Sequence, residues 1–159
     1  MLHSFNQLDW NVTNFVIDQI YYINSNDSVT IPNYNWKYLF NKRIKPLIYK
    51  LILYLPLDTK NVPSTEQYLE RLEYKSEYGF TPFDILGAIN TFYLQPINRD
   101  LIYKLADEGY LTSLELKNLD QNGKWSNRSL SNSYLLSWVG QIFKGLEPYK
   151  DGYKINIGM

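Results

Sequence analysis

The sequence predicts an α+β fold that is mostly α-helical and ends in a β-hairpin. Two stretches have the capping pattern of a helix start, Ser64-Thr65-Glu66-Gln67 and Thr81-Pro82-Phe83-Asp84. Apolar side chains recur every three or four residues after each stretch, as they do on one face of a helix. Near the end of the chain, Asp151-Gly152 is the dipeptide that a two-residue hairpin turn prefers.

Residues 1–63 are predicted to form a helical extension that packs on the main domain. A first helix follows Asp9, and its apolar face comprises Val12, Phe15, Val16 and Ile20. A short strand is expected over residues 28–31. Further helices are expected from Asn35 and from Pro46, which suits a first helical turn. The helix from Pro46 has an apolar stripe made of Leu47, Ile48, Leu51, Ile52 and Leu55.

Residues 64–159 are predicted to form the main domain. One helix follows Ser64–Gln67, a second follows Thr81, and a third begins after Asn98 and stops at Gly109. The apolar faces of the first two comprise Tyr68, Leu69 and Leu72, and then Ile85, Leu86, Ile89, Phe92 and Tyr93. A shorter helix is expected after Thr112. The terminal hairpin pairs residues from about 141 to 149 with a strand in which Tyr153, Ile155 and Ile157 share one face.

This order of elements is compatible with a winged-helix-like domain. The helix from Asn98 would be the second helix of the helix-turn-helix, and the terminal hairpin would be the wing. The helix after Thr112 is additional to that minimal plan.

The composition excludes several kinds of active site. The 159 residues include no cysteine, and His3 is the only histidine. Disulfides, thiolate metal sites, histidine triads and multi-histidine metal sites are therefore ruled out, and phosphate-binding glycine loops are also missing. We expect a protein without catalytic residues, metal or cofactor. The lack of cysteine fits a reducing, intracellular compartment, and the apolar run over 47–57 is too short to span a bilayer.

Two pairs of carboxylates are the remaining candidates for acid–base chemistry or metal binding. Glu66 and Glu70, and then Glu73 and Glu77, are each four residues apart on the predicted helix. Such pairs act chemically only in a cleft with apolar walls. Because Arg71 lies between the pairs, we interpret them as part of a solvated helix face.

The net charge is zero, but residues 28–57 carry five basic side chains and no acidic one. This asymmetry indicates either a surface for polyanions or neighbouring elements that complement one another, and we favour the second. On the first interpretation, a winged-helix protein would contact nucleic acid through Lys42, Arg43, Lys45, Arg99, Lys104, Lys144, Lys150 and Lys154. The four tryptophans could stack on bases, although core packing is the preferred role for each.

The stretch from Thr81 to Tyr93, followed by Pro96, resembles a pattern found in small proteins of giant DNA viruses of amoebae, of the mimivirus and marseillevirus kind. The ending resembles the same proteins through Gly140, Phe143-Lys144-Gly145-Leu146, Tyr153, Ile155 and Gly158. The resemblance covers about the last half of the chain. It implies a viral origin and a setting in the host cytoplasm or the virion, and it implies no catalytic residues.

The leading hypothesis is therefore a non-enzymatic, protein-binding or structural protein that acts through an aromatic-rich surface. Fifteen tyrosines support it, because tyrosine combines a large apolar body with a polar tip. A protein partner or self-association is expected, and no membrane contact. The alternative is the winged-helix protein that binds nucleic acid.

Overall fold

The structure is a computed structural model that describes residues 8–12, 21–23, 29–30, 41–57, 68–109, 131–136 and 142–158. These residues form two sheets and two α-helices. A small antiparallel sheet contains, in spatial order, β1 (Leu8–Asp9), β2 (Tyr21–Ile23) and β3 (Val29–Thr30). The larger sheet contains β4 (Lys50–Leu57), β5 (Tyr68–Lys75), β6 (Ile142–Tyr149) and β7 (Gly152–Gly158). The helices are α1 (Pro82–Leu94) and α2 (Arg99–Asp107), with a short 3-10 helix over Asn132–Leu136.

The larger sheet is mixed, with the strand order β5-β4-β7-β6. β4 pairs antiparallel with β5 over its whole length, from Lys50 opposite Lys75 to Leu57 opposite Tyr68. β4 also pairs with β7, but in parallel. β6 and β7 form the terminal hairpin, and a bulge between Phe143 and Gly145 interrupts their register.

The core lies between this sheet and α1. Every second residue of β4 packs with the buried face of α1 and is at most 1% exposed. These residues are Leu51, Leu53, Leu55 and Leu57. We call this side of the sheet the helix face and the opposite side the outer face. Ile52 and Tyr54, on the outer face, are also buried. Burying one leucine contributes about 2 kcal/mol, so β4 provides much of the stability.

Both helices begin as the sequence predicts. The Thr81 hydroxyl accepts a hydrogen bond from the Asp84 amide at 3.1 Å, and the Asp84 carboxylate accepts one from the Thr81 amide at 2.9 Å. The Asn98 side chain caps α2 by accepting from the Asp100 amide at 2.8 Å. α2 ends just before Gly109, whose φ of +85° suits glycine. The predictions of both helices are confirmed.

The mostly helical fold class and the winged-helix-like arrangement are wrong. The stripe from Pro46 is not helical, because residues 50–57 form β4, and the predicted helix after Gln67 is strand β5. The terminal hairpin is not a free wing either, since β7 lies inside the sheet between β4 and β6. The proposed division at residue 63 falls between β4 and β5, which pair along their full length.

The terminal hairpin is confirmed, with its turn shifted by one residue. Tyr149 pairs with Gly152, so Lys150 and Asp151 are the turn residues. Lys150 has a φ of +47° and takes the left-handed conformation that was expected of glycine. The short strand predicted over 28–31 is confirmed as β3.

The helices predicted from Asn35 and after Thr112 lie outside the described residues, as does most of the first predicted helix. Trp10 is confirmed in the core, at 2% exposure. Within the described ranges, no helix has the length and apolar character needed to cross a membrane.

Candidate protein-binding groove

Strand β5 forms one edge of the larger sheet. It pairs with β4 on one side, and no other described strand pairs with its free edge. Its side chains alternate between the two faces. Leu72 and Tyr74 are half-buried on the helix face, whereas Arg71, Glu73 and Lys75 point to the outer face, where they are opposite the outer-face residues of β4. An edge strand presents a row of backbone N–H and C=O groups that another strand can pair with.

Two cavities follow β5 on its helix face, between the strand and α1. The larger cavity has a volume of about 450 Å³. It is lined by residues 74–76, at the end of β5, by Phe80, and by Ala88 and Thr91 of α1. The second, of about 340 Å³, is lined by Glu70, Leu72, Pro96, Asn98, Leu101 and Asn132. Phe92 and Gln95 line both cavities, so the two adjoin. We call the pair of cavities the β5 groove.

Three aromatic side chains contribute to the groove wall, which also contains polar residues. Phe80 and Phe92 are at most 5% exposed and come from the two sides of the larger cavity. Tyr74 lines the same cavity, and burial raises the pKa of its hydroxyl, which therefore stays protonated at neutral pH. The groove thus combines aromatic side chains with polar ones, among them the Tyr74 hydroxyl, Asp84 in the larger cavity and Glu70 in the smaller.

Asn132 fixes the end of α1 beside the smaller cavity. It is 4% exposed, its side-chain amide donates to the Phe92 carbonyl at 2.8 Å, and its backbone amide donates to the Gln95 carbonyl at 2.9 Å. The two residues shared by the cavities are therefore held by the same asparagine.

Large apolar side chains are exposed near the larger cavity. Tyr78 and Phe83, at 66% and 40% exposure, flank the cavity residue Phe80 in the chain. The loop before β4 adds Tyr49, which is joined to the end of β5 by a hydrogen bond from the Ser76 amide to its carbonyl. Three large, exposed side chains therefore lie in chain segments that adjoin residues of the larger cavity.

The structure distributes the eight predicted basic residues over separate surfaces. Lys42, Arg43 and Lys45 are exposed in the loop before β4, and Lys144 is exposed at the bulge of β6. Arg99 lies at the start of α2, with its guanidinium 5.6 Å from the Tyr103 ring. Lys104 lies 5.4 Å from the ring of Tyr68, a helix-face residue.

Lys150 and Lys154, in contrast, lie on the outer face of the sheet. The Lys154 ammonium is 3.0 Å from the Glu147 carboxylate, and the Lys150 ammonium is 5.3 Å from the centre of the Tyr149 ring. Because Lys104 and Lys154 are on opposite sides of the sheet, the single basic surface expected of a winged helix is not formed.

The predicted carboxylate pairs do not lie on a helix, because Glu70 and Glu73 belong to strand β5, and Glu66 lies outside the described residues. Glu70 lines the groove, whereas Glu73 is on the outer face. In the part of the chain that the structure describes, no group of three histidine, aspartate or glutamate side chains could hold a metal ion. The groove was not predicted from the sequence, although the alternation of Arg71, Glu73 and Lys75 with Leu72 and Tyr74 indicates the strand at its edge.

A second cluster, centred on Asp151, occupies the outer face. The Asp151 carboxylate accepts hydrogen bonds from the Tyr54 hydroxyl at 2.5 Å and from the Arg71 guanidinium at 2.7 Å. The hydrogen bonds from Arg71 and then Tyr54 lower the pKa of Asp151 from 3.8 to about 2. The cluster ties the hairpin turn to β4 and β5.

The Asp151 carboxylate should make stability depend on pH in acid. Because the folded-state pKa is below the unfolded value, the stabilisation is complete above about pH 4 and disappears as the pH falls through about 2. The effect should be small, since the carboxylate is half-exposed. Thermal unfolding of Asp151→Asn and the unmodified protein measures it: their difference in Tm should be constant near neutrality and shrink towards pH 2. A difference that grows in acid would contradict this assignment.

No family model matches the chain, and neither the curated proteins nor the solved structures contain a match.

Proposed function

We propose that the protein is a non-enzymatic binding protein that accepts an extended segment of a protein partner along β5. The observation that carries this proposal is a groove, with Tyr74, Phe80 and Phe92 in its wall, beside a strand edge that no described strand covers. Strand addition uses both features, since backbone hydrogen bonds to the edge give affinity and side-chain pockets give specificity.

The spacing along β5 suits this mode of binding. Leu72 lines the smaller cavity and Tyr74 the larger, and they are two residues apart on the same face. A strand rises about 3.3 Å per residue, so neighbouring same-face side chains are roughly 7 Å apart. An added strand would therefore place one side chain in each cavity from positions i and i+2. Apolar or aromatic side chains match the walls formed by Phe80 and Phe92.

The setting of the proposal comes from the resemblance of the C-terminal half to small proteins of giant DNA viruses. The partner would then be a virion or host protein. The dispersed carboxylates and the lack of cysteine support a binding role over catalysis.

The test is a display library of extended peptides screened against the full chain. Bound peptides should slow amide exchange in residues 69–75. Thr91→Arg, which fills the larger cavity from an exposed position of α1, should weaken binding at least about tenfold. Leu94→Arg is the matched control, because Leu94 is on the same helix, is 51% exposed and lines neither cavity.

Two results would contradict the proposed function. One is a library that yields no peptide able to protect β5. The other is binding that Thr91→Arg and Leu94→Arg weaken equally, which would place the peptide away from the groove.

A further inference from the structure

We infer that the segment bound along β5 is the β5 strand of a second copy of this chain. The two larger sheets would then join edge to edge around a two-fold axis into one continuous sheet. This inference rests on the proposed strand addition and names its occupant. Two-fold dimers use the same surface of both copies, so the strand must complement itself.

The outer-face charges of β5 can complement one another between two antiparallel copies of the strand. With Leu72 at the two-fold axis, Arg71 is opposite the partner's Glu73, and Glu73 is opposite the partner's Arg71. Moving the axis to Arg71 or to Glu73 would place identical charges opposite each other, which is destabilising. A register centred on Tyr74 would also pair opposite charges, Glu73 with the partner's Lys75, but it would place Leu72 opposite the partner's Ser76 on the helix face. The charges therefore exclude the registers centred on Arg71 and Glu73, and the helix face favours Leu72 over Tyr74.

The helix face is compatible with the same register. Leu72 is opposite the partner's Leu72, so an apolar pair lies on the axis. Glu70 is opposite the partner's Tyr74, whose protonated hydroxyl can donate to the Glu70 carboxylate. Both residues line the β5 groove, and the cross-strand pair would bring them together twice in the dimer.

The contacts that Arg71 and Glu73 already make leave room for the partner. The Arg71 guanidinium is 2.7 Å from Asp151 and 3.9 Å from Glu73 in the same chain, and the Lys50 ammonium is 3.6 Å from Glu73. Arg71 is 43% exposed and offers five N–H donors, so it can bind a second carboxylate. Charges on an edge strand commonly oppose association, and here their alternating signs favour the register centred on Leu72 over those centred on its neighbours.

Sedimentation velocity of the full chain over a concentration series tests the inference. The unmodified protein should dimerise, and Arg71→Glu and Glu73→Arg should each weaken dimerisation at least about tenfold, because each places like charges opposite one another. Equimolar mixing of the two variants should produce a heterodimer, since both facing pairs are then of opposite sign. The double variant R71E/E73R should again form a homodimer.

Two controls separate the interface from the fold. Lys75→Glu reverses a charge on the same strand and face, but Lys75 is opposite the partner's Leu69 in this register, so dimerisation should persist. Thermal unfolding of every variant shows whether loss of the Arg71–Asp151 contact has affected folding. Restoration of association by mixing cannot come from a misfolded chain.

The alternatives are distinguishable. A protein that stays monomeric at every concentration, while library peptides still protect β5, overturns the second copy as occupant and leaves the proposed function standing. A dimer that both charge reversals leave unchanged also overturns the inference. A monomer in which no peptide protects β5 overturns the inference and the proposed function together.

Discussion

Replacing Gly152 with alanine should destabilise the protein by about 3 kcal/mol, the upper end of the usual cost of overpacking. A Cβ atom at this position would lie 2.2 Å from the backbone oxygen of Ile52 and 2.7 Å from its Cβ. Ile52 belongs to β4, which is held on one side by β5 and on the other by β7, so its backbone cannot easily move. Urea unfolding of the purified variant measures the loss.

Gly109→Ala is the matched comparison. Gly109 has a φ of +85°, and a Cβ atom added there would meet nothing within 4 Å, so only backbone strain opposes alanine. That strain costs about 1–2 kcal/mol. If Gly152→Ala costs less than Gly109→Ala, the close approach of the hairpin to β4 is contradicted.

The second large effect is expected for Leu53→Ala, at about 3–4 kcal/mol. Leu53 is 0% exposed, lies on the helix face at the middle of β4, and has strand neighbours on both sides at Leu72 and Tyr153. Because both strand neighbours are fixed, the cavity left by the side chain cannot collapse fully. Denaturant unfolding gives the free energy directly.

Leu47→Ala provides the control, since Leu47 is the same residue type at 37% exposure before the strand begins. It should cost less than about 1 kcal/mol. Comparing Leu47→Ala with Leu53→Ala also shows whether this segment is a strand or a helix. In a helix from Pro46, Leu47 would belong to the apolar stripe and Leu53 would not, so a larger cost for Leu47→Ala would favour the helix.

The helices α1 and α2 could be predicted because their signals are local. Thr81, Asp84 and Asn98 form caps with residues two or three positions away, and those hydrogen bonds require no distant partner. The hairpin turn was predictable for a similar reason. Gly152, which follows the turn, is however required by its contact with Ile52 rather than by a left-handed backbone.

Strands β4 and β5 could not be recognised from periodicity alone. β4 is buried on both faces, so its sequence is a continuous apolar run that fits a buried helix equally well. In β5, acidic residues four apart suggested a helix face, while the alternation from Arg71 to Lys75 suggested a strand. The pairing of β5 with β4 favours the two-residue period of a strand over the period of a helix.

The candidate groove depends on contacts that no local pattern records. It forms where β5 faces α1, and the residues shared by its cavities come from the end of that helix. The aromatic-rich surface expected from the sequence stays a prediction. The position of the groove follows only from the arrangement of the strand beside the helix.

The parallel pairing of β4 with β7 has a consequence for how the protein folds during synthesis. Tyr54 and its hairpin partner Asp151 are 97 residues apart, and β4 acquires its second neighbour only when β7 has been made. Until then β4 can pair with β5 along one edge while its other edge stays open. Because contacts between distant residues form slowly, we expect the edge of β4 that later pairs with β7 to stay exposed in the nascent chain until β7 has been made.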